Sequence, residues 1–373
     1  MTLNNVPIIK KLFFFSFLTL LILMIFINFN RCASGQVTRS SVLNRAQQFQ
    51  KLLVEKELQG IDTTKALELD QKSREAMRNN NPMESLRLID EAISILESSP
   101  SSKVVSAPIK GEERDFFYEI HMEPGTANKE MFEELKKFVK LADTYNIKLT
   151  LLFTPQWAEM ILDDPEKTKI INSWKNEGHE IGGHHHGPNV WPWDGYSDLN
   201  SEEIDKVRAA RPQIPVAQEV AKKEKYLGNM QSFMTLLNRL AGEKIKVITM
   251  SNEIQDWPDG VPYAAGGRHL VEALSIPRKV AFRGHQVVKV SSVTFKPGKI
   301  VEYNEEITLQ QMKDKFLSSQ PGIFGTVSHP EDYKKDPQMY ENFFKFLHSI
   351  DQSGKHSKTV TQIIETHSQN QKT

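Results

Sequence analysis

Hydrophobic residues follow two different patterns along this chain. Between residues 40 and 99 they recur three and four positions apart, as in Leu86, Ile89, Ile93 and Leu96, which is the spacing of amphipathic helices. From about residue 112 onward, short apolar runs typical of strands alternate with stretches of helical periodicity. The first region therefore predicts helices alone, and the second predicts strands separated by helices.

The helical region, residues 40–99, predicts three helices, the last of which begins at Pro82. Its last two helices resemble a single tetratricopeptide-type hairpin. We favour a helical spacer that holds the next domain away from a membrane. The alternative is a peptide-binding module with a protein partner. Residues 100–111, which begin within the Ser-Ser-Pro-Ser-Ser run of residues 98–102, predict a linker.

The second region predicts an α/β fold. Strands are expected at 116–121, 148–153, 179–182 and 322–329, with helices between them. Strands that alternate with helices indicate a parallel sheet or barrel with right-handed crossovers. We therefore predict a parallel sheet or barrel over residues 112–350, followed by a polar C-terminal tail over residues 351–373 with a short ordered piece around residues 360–364.

Polar side chains stand at the ends of three predicted strands. His121 and Glu123 end the first strand, His184–His186 end the third, and His329 ends a late one. In parallel α/β folds, ligands gather at the carboxyl ends of the strands. These clusters are therefore expected to open onto the same rim of the sheet.

The three consecutive histidines predict a metal site. Neutral imidazole is the commonest protein ligand for zinc and related metals. The run is internal and lies between patterned elements, which argues against a cloned tag. If the segment stays extended, His184 and His186 project to the same side.

Two segments carry a resemblance to a known family. Residues 178–184 read Gly-His-Glu-Ile-Gly-Gly-His, which resembles the Gly-His-Glu-Ile-Gly-Asn-His segment of polysaccharide deacetylases. This family is also called the NodB-homology family or carbohydrate esterase family 4. Residues 325–333 resemble its late strand with the catalytic histidine. The resemblance implies an irregular (β/α) barrel that binds a divalent metal, often zinc, and removes N- or O-acetyl groups from sugars.

The resemblance also implies a metal-ligand set. Glu123 falls where the family has its metal-binding carboxylate, and His184 falls at the first histidine. The position of the family's second histidine is Pro188 here, so His186 or His185 takes its place. Glu123, His184 and His186 would give three protein ligands and leave an open position, as catalytic zinc requires.

The proton-transfer residues depart from the family pattern. The usual catalytic aspartate is replaced by Met122 in this sequence. We predict that His121 acts as the general base in its place. His329 is predicted to be the general acid that protonates the leaving group.

The loop after the histidines is rich in aromatic residues. Trp191 and Trp193 are predicted to stack on sugar rings, and Asp194 to orient a sugar hydroxyl or support a metal-bound histidine. The alternative is a loop that is simply held in place by burial of its tryptophans.

The N-terminus predicts export. Lys10 and Lys11 precede an apolar run from Leu12 to Ile27, so residues 1–35 are expected to be a signal peptide or membrane anchor. Cys32 is the only cysteine, which excludes an intramolecular disulfide and allows a lipid-modified cysteine. We therefore expect the chain outside the cytoplasmic membrane, as an anchored protein, a lipoprotein or a secreted protein.

Charge and motifs together restrict the function. Basic and acidic residues balance at 47 each, and no basic stripe with aromatics occurs, so no nucleic-acid partner is expected. The favoured function is a metal-dependent hydrolase that removes acetyl groups from an envelope or extracellular polysaccharide. The alternative is a non-catalytic envelope protein that keeps the barrel for binding glycan.

Overall fold

The computed structural model describes residues 39–58, 61, 63–99, 114–209, 224–250, 256–268, 276–282, 285–300, 305–318 and 322–368. These residues fall into two compact units, one that ends at residue 99 and one that begins at residue 114. The predicted signal or anchor and the predicted linker lie outside the described residues. Within the described part of the chain, no helix is both long and apolar enough to cross a bilayer.

The first unit consists of helices α1 (Arg39–Leu58), α2 (Thr64–Arg78) and α3 (Pro82–Ser98). The side chain of Asn81 caps α3 by accepting a hydrogen bond from the backbone N–H of Glu84 at 3.2 Å. Apolar residues at helical spacing form a core of its own, made up of Phe49, Leu53, Ala66, Leu69, Leu88, Ile89, Ala92, Ile93 and Leu96. The helices predicted for this region are therefore present, while the role of a spacer stays a prediction.

The second unit is an α/β domain whose strands and helices alternate in its first half. Its helices are α4 (Lys129–Thr144), α5 (Pro155–Leu162), α6 (Pro165–Asn176), α7 (Ser201–Ala209), α8 (Met230–Ala241), α9 (Leu309–Ser318), α10 (Pro330–Lys335), α11 (Pro337–Ile350) and α12 (Val360–Ser368). Its strands are β1 (Asp115–His121), β2 (Leu149–Phe153), β3 (Glu180–His185), β4 (Val247–Met250), β5 (Tyr263–Ala265), β6 (Gly267–Arg268), β7 (Arg278–Phe282), β8 (His285–Lys289), β9 (Ser292–Thr294), β10 (Lys299–Ile300), β11 (Glu305–Glu306) and β12 (Ile323–Ser328).

Most of these strands form one curled sheet in the order β6-β9-β12-β1-β2-β3-β4-β5-β8-β7. All neighbours in this sheet are parallel except the antiparallel pair β7 and β8. Gly266 alone separates β5 from β6, and two residues separate β8 from β9. β5 pairs with β4 and β8, and β9 pairs with β6 and β12. Since β8 leads almost directly into β9, the curled sheet returns from β4 towards β12. The predicted α/β class and mostly parallel sheet are confirmed.

Alternating residues of the strands divide the core into an outer and an inner layer, as strand geometry requires. On β1, Phe116, Tyr118 and Ile120 pack against the surrounding helices. Phe117 points to the inner side. The inner cluster contains Phe117, Leu152, Val247, Ala265, Val290, Ile323, Val360, Ile363 and Ile364. Glu119 and His121 follow Phe117 on the same face of the strand. The inward-facing side chains of β1 are therefore apolar at Phe117 and polar after it.

Helix α12 closes the inner layer at the amino ends of the strands. Its first backbone N–H groups donate to inward-facing side chains: Val360 to Thr150 Oγ1 at 2.9 Å, and Thr361 to Glu180 Oε2 at 3.2 Å. The carboxylate of Glu180 thus lies at the positive end of the helix. The short ordered piece predicted around residues 360–364 is present, as the first part of α12. The description of this segment as a polar tail does not hold for α12, because Val360, Ile363 and Ile364 are buried in the inner cluster.

Candidate metal centre

Strand β3 delivers its histidines to opposite sides of the sheet. Gly182 faces inward, where a Cβ would lie 2.6 Å from Leu152 Cδ2 and 2.7 Å from the carbonyl oxygen of Val247. A larger side chain does not fit between these neighbouring strands, so glycine at position 182 is required for their packing. Two positions further on, His184 also faces inward, while the next residue, His185, packs its ring against Phe233 at 5.3 Å. The alternation of an extended chain therefore separates His185 from its neighbours.

His184, His186 and Glu123 converge on one point. Their potential ligand atoms all lie within 4.8 Å of one another. His186 Nε2 is 3.1 Å from His184 Nε2 and 3.2 Å from Glu123 Oε2. The structure thus brings the three predicted ligands together, and it directs His185 elsewhere.

The hydrogen bonds of the two rings fix which nitrogen faces that point. His184 Nδ1 donates to the carbonyl oxygen of Met122 at 3.2 Å, and His186 Nδ1 donates to that of Pro192 at 2.9 Å. A carbonyl oxygen only accepts, so each Nδ1 carries the proton and each Nε2 of a neutral ring keeps its lone pair. Burial, followed by the nearby His186, His121 and His329, holds the pKa of His184 well below its ordinary value. Two imidazole lone pairs and a carboxylate therefore face one another, which is a donor set that fits a divalent metal.

A second group of potential ligands lacks this arrangement. Asp143, Glu177 and His179 also place their ligand atoms within 4.8 Å of one another. Here His179 Nδ1 accepts a hydrogen bond from the backbone N–H of Leu149 at 3.0 Å, so Nε2 carries the proton and donates to Asp143 Oδ1 at 2.9 Å. The nitrogen that faces the carboxylates therefore has no lone pair to offer, and this group fits a structural hydrogen bond.

Two further histidines border the centre. The ring of His121 lies 4.7 Å from that of His184 and 5.8 Å from that of His329, measured between centroids. His329 Nε2 is 3.5 Å from Glu123 Oε1. The candidate ligands and the predicted acid and base thus lie together at the carboxyl ends of β1, β3 and β12, as predicted for a parallel sheet.

Each of these histidines is held by a buried carboxylate. His329 Nδ1 donates to Asp332 Oδ2 at 2.8 Å. Burial alone would lower the pKa of His329, but the bond to Asp332 and the charges of Glu123 and Glu331 outweigh it and raise that pKa to about 9. His121 Nε2 lies 2.8 Å from Glu119 Oε2. Burial, together with the charges of His329 and His186, keeps the pKa of His121 well below its ordinary value.

Glu119 is the functional residue that our sequence reasoning missed. It is fully buried, and burial above all raises the pKa of its carboxyl to about 8. A signal was available, because residues 119 and 121 share one face of a strand and neither side chain is typical of a buried strand. Met122, at the family's base position, is buried among the outer core residues and faces away from the centre.

The aromatic loop supports the end of β3, and most of the side chains predicted to bind sugar are buried in it. Asp194 is fully buried, and its Oδ2 accepts hydrogen bonds from His185 Nδ1 at 2.7 Å and from the backbone N–H of His186 at 2.9 Å. Trp193 is only 5% exposed and donates its indole N–H to the carbonyl oxygen of Tyr196. Neither residue presents a surface for the sugar contact predicted for it, because the loop folds inward to fix the strand end. Trp191 is partly exposed, so its contact with substrate stays a prediction.

No protein-family model matches the chain, and no curated protein matches it. Solved structures that match include a candidate polysaccharide deacetylase from Mycobacterium smegmatis, with 11% identity over 72% of this chain and 94% of that one, and a TM-score of 0.42. A 4-alpha-glucanotransferase from Thermococcus litoralis matches with 14% identity over 68% of this chain and 40% of that one, with a TM-score of 0.39. A variant of the peptidoglycan deacetylase PdaC from Bacillus subtilis matches with 13% identity over 70% of this chain and 96% of that one, with a TM-score of 0.33.

Polysaccharide deacetylases therefore occur both in the sequence resemblance and among the structural matches. TM-scores below 0.5 do not establish a common fold, and the matches assign no activity to this chain. The geometry of Glu123, His184 and His186 alone identifies the candidate metal centre.

Proposed function

We propose that this protein is a metal-dependent hydrolase that removes acetyl groups from a polysaccharide. The observation that carries the proposal is the convergence of two imidazole lone pairs and the Glu123 carboxylate. Two further histidines with buried carboxylate partners border the same point. Ligands and proton-transfer groups in one place are what hydrolysis of an acyl group requires.

Glu123, His184 and His186 would hold the metal. A divalent ion bound there would polarise the acyl oxygen of the substrate and make a water molecule more acidic. His121 accepts the proton of the attacking water, and Glu119 holds its ring in place at 2.8 Å. His329 donates a proton to the leaving amine or alcohol. Its raised pKa of about 9 keeps the ring protonated at neutral pH, as an acid requires.

The class of substrate and the location belong to the same proposal. A polysaccharide substrate is supported by the motif resemblance and by the names of the structural matches. We further propose that residues 1–35 export the chain and anchor it, so that the centre acts on polysaccharide of the envelope or outside it. Zinc is the expected metal, because its catalytic sites use three protein ligands of this type.

The proposal is tested on the full chain, purified in detergent, by metal analysis and by acetate release from an acetylated hexosamine polymer. We expect about one metal ion per chain and acetate release that stops with chelator and returns with zinc. A protein without stoichiometric metal, whose melting temperature is unchanged by chelator, would exclude the enzyme. Bound metal and polymer binding without acetate release would instead favour the non-catalytic glycan-binding protein, in keeping with the missing aspartate.

Glu119→Gln is expected to separate stability from activity. The folded-state pKa of about 8 lies above the ordinary value of 4.5, so the stability that depends on the protonated carboxyl is complete below about pH 4.5 and lost as the pH rises to about 8. We therefore expect the variant to melt at a higher temperature than the wild type at pH 9 and at a similar temperature at pH 4. We expect kcat to fall about 10- to 100-fold, because the amide orients His121 less well. Equal kcat, or a lower melting temperature at pH 9, would contradict this role.

A further inference from the structure

The loop beside the candidate metal centre carries an exposed apolar pair. In the part of the chain that the structure describes, the exposed large hydrophobic residues are Met83, Tyr226, Leu227 and Leu317. Tyr226 is 55% exposed and Leu227, its direct neighbour, is 51% exposed. We propose that Tyr226 and Leu227 form a platform on which a sugar ring of the polysaccharide lies, away from the acetyl group that reacts. This inference rests on the proposed function and names a binding subsite for its substrate.

Backbone hydrogen bonds join the platform to the loop that follows the candidate ligand His186. Leu227 N–H donates to the carbonyl oxygen of Gly195 at 2.7 Å, and Ser197 N–H donates to that of Gly228 at 3.0 Å. Gly195 has a positive φ of 89°, and a Cβ there would lie 2.6 Å from the carbonyl oxygen of Lys225. Glycine is therefore required for this close approach. Since Asp194, the preceding residue, holds the backbone of His186, the platform and the centre belong to one connected loop system.

The aromatic ring of the platform rests on a buried support. The ring of Tyr226 lies 6.4 Å from that of Trp193 at an interplanar angle of 48°. Trp193 is in turn fixed by the hydrogen bond of its indole N–H to Tyr196 at 3.0 Å. An aromatic side chain that is already ordered loses little conformational entropy when a ligand stacks on it. Sugars offer an apolar face of C–H groups that suits such a ring, while their hydroxyls remain in water.

The size and shape of the platform favour a sugar over larger partners. Two adjacent side chains cover far less than the roughly 800 Å² per partner of a standard protein interface. A membrane-binding surface normally has the apolar face of an amphipathic helix, whereas Tyr226 and Leu227 lie outside any helix. A single sugar ring matches both the area and the position next to the centre.

The platform is tested by comparing Tyr226→Ala, Tyr226→Phe and the matched control Leu317→Ala, which alters an exposed residue on α9 (52% exposed). KM and kcat are measured on an acetylated hexosamine polymer and on the small ester p-nitrophenyl acetate. Binding of the polymer to the chelator-treated proteins is measured separately. We expect Tyr226→Ala to raise KM for the polymer and weaken polymer binding about three- to tenfold, with kcat and the small ester unaffected. Tyr226→Phe and Leu317→Ala should behave like the wild type.

The binding measurement keeps this inference distinct from the proposed function. If the wild type released no acetate but bound polymer in a Tyr226-dependent way, the catalytic proposal would fail and the platform would stand. If Tyr226→Ala bound polymer as well as the wild type did, the platform would be excluded whatever the activity. A Tyr226→Ala defect confined to binding of anionic lipid vesicles would likewise overturn it and assign the pair to a membrane contact.

Discussion

His184→Ala is expected to remove the bound metal and the release of acetate together. The variant leaves only one imidazole beside Glu123, and two ligands do not hold zinc as firmly as three. Stabilisation of the transition state by a metal is worth several kcal/mol, so we expect kcat/KM to fall at least about 1,000-fold. His186→Ala should have the same effect, since its Nε2 faces the same point at 3.1 Å.

Metal content by mass spectrometry and acetate release check this prediction on the same preparations. His285→Ala is the matched control, because His285 begins β8, which lies three places from β3 in the sheet order, and is partly exposed. The control should keep both metal and activity. A His184→Ala protein that retained about one metal ion per chain would show that the donor set has been misidentified.

His329→Gln is expected to affect the chemical step while sparing the metal. His329 contacts Glu123 at 3.5 Å without joining the three converging ligand atoms. General acid catalysis typically contributes 10²- to 10⁴-fold, so we expect about that loss in kcat on a substrate with a poor leaving group, such as an acetylated amine. On p-nitrophenyl acetate, whose leaving group needs no proton, the loss should be small.

The contrast between the two leaving groups identifies the role of His329. A loss of similar size on both substrates, with metal retained, would favour a role in positioning the substrate and would count against the acid. Loss of metal would place His329 among the ligands. Asp332→Asn should produce a weaker version of the same contrast, because Asp332 Oδ2 accepts a hydrogen bond from His329 Nδ1 at 2.8 Å and stabilises the charged ring.

Parallel strand order made the centre predictable from the sequence. Three clusters at the carboxyl ends of strands had to share a rim, and Glu123, His184 and His329 do lie there. The two-residue period of an extended chain also explains why His186 accompanies His184 while His185 packs on Phe233. These features depend on local geometry and sheet topology, which the sequence pattern carries directly.

Other features depend on the orientation and burial of side chains, which the pattern of hydrophobic and polar residues does not determine. The loop of Trp193 and Asp194 has the composition of a sugar-binding surface, yet both residues are buried. Asp194 accepts a hydrogen bond from His186 at the strand end, and Trp193 donates one to Tyr196 within the loop. The shared strand face of Glu119 and His121 can be read from the sequence, but the burial of both side chains and their contact cannot. An ordered piece was predicted at the start of α12, but its burial against the first strand was not, because its inward face consists of only a few apolar residues.

The position of α12 sets a condition on the order of folding. The helix lies at the end of the described chain, yet its Val360, Ile363 and Ile364 complete the packing around Phe117 on the first strand. Strand β1 also pairs with β12, which lies more than 200 positions later in the sequence. Until α12 has formed, Phe117 lacks side chains that cover it in the folded domain. The packing of the first strand is therefore completed by contacts of long sequence separation, and such contacts slow the folding of a domain.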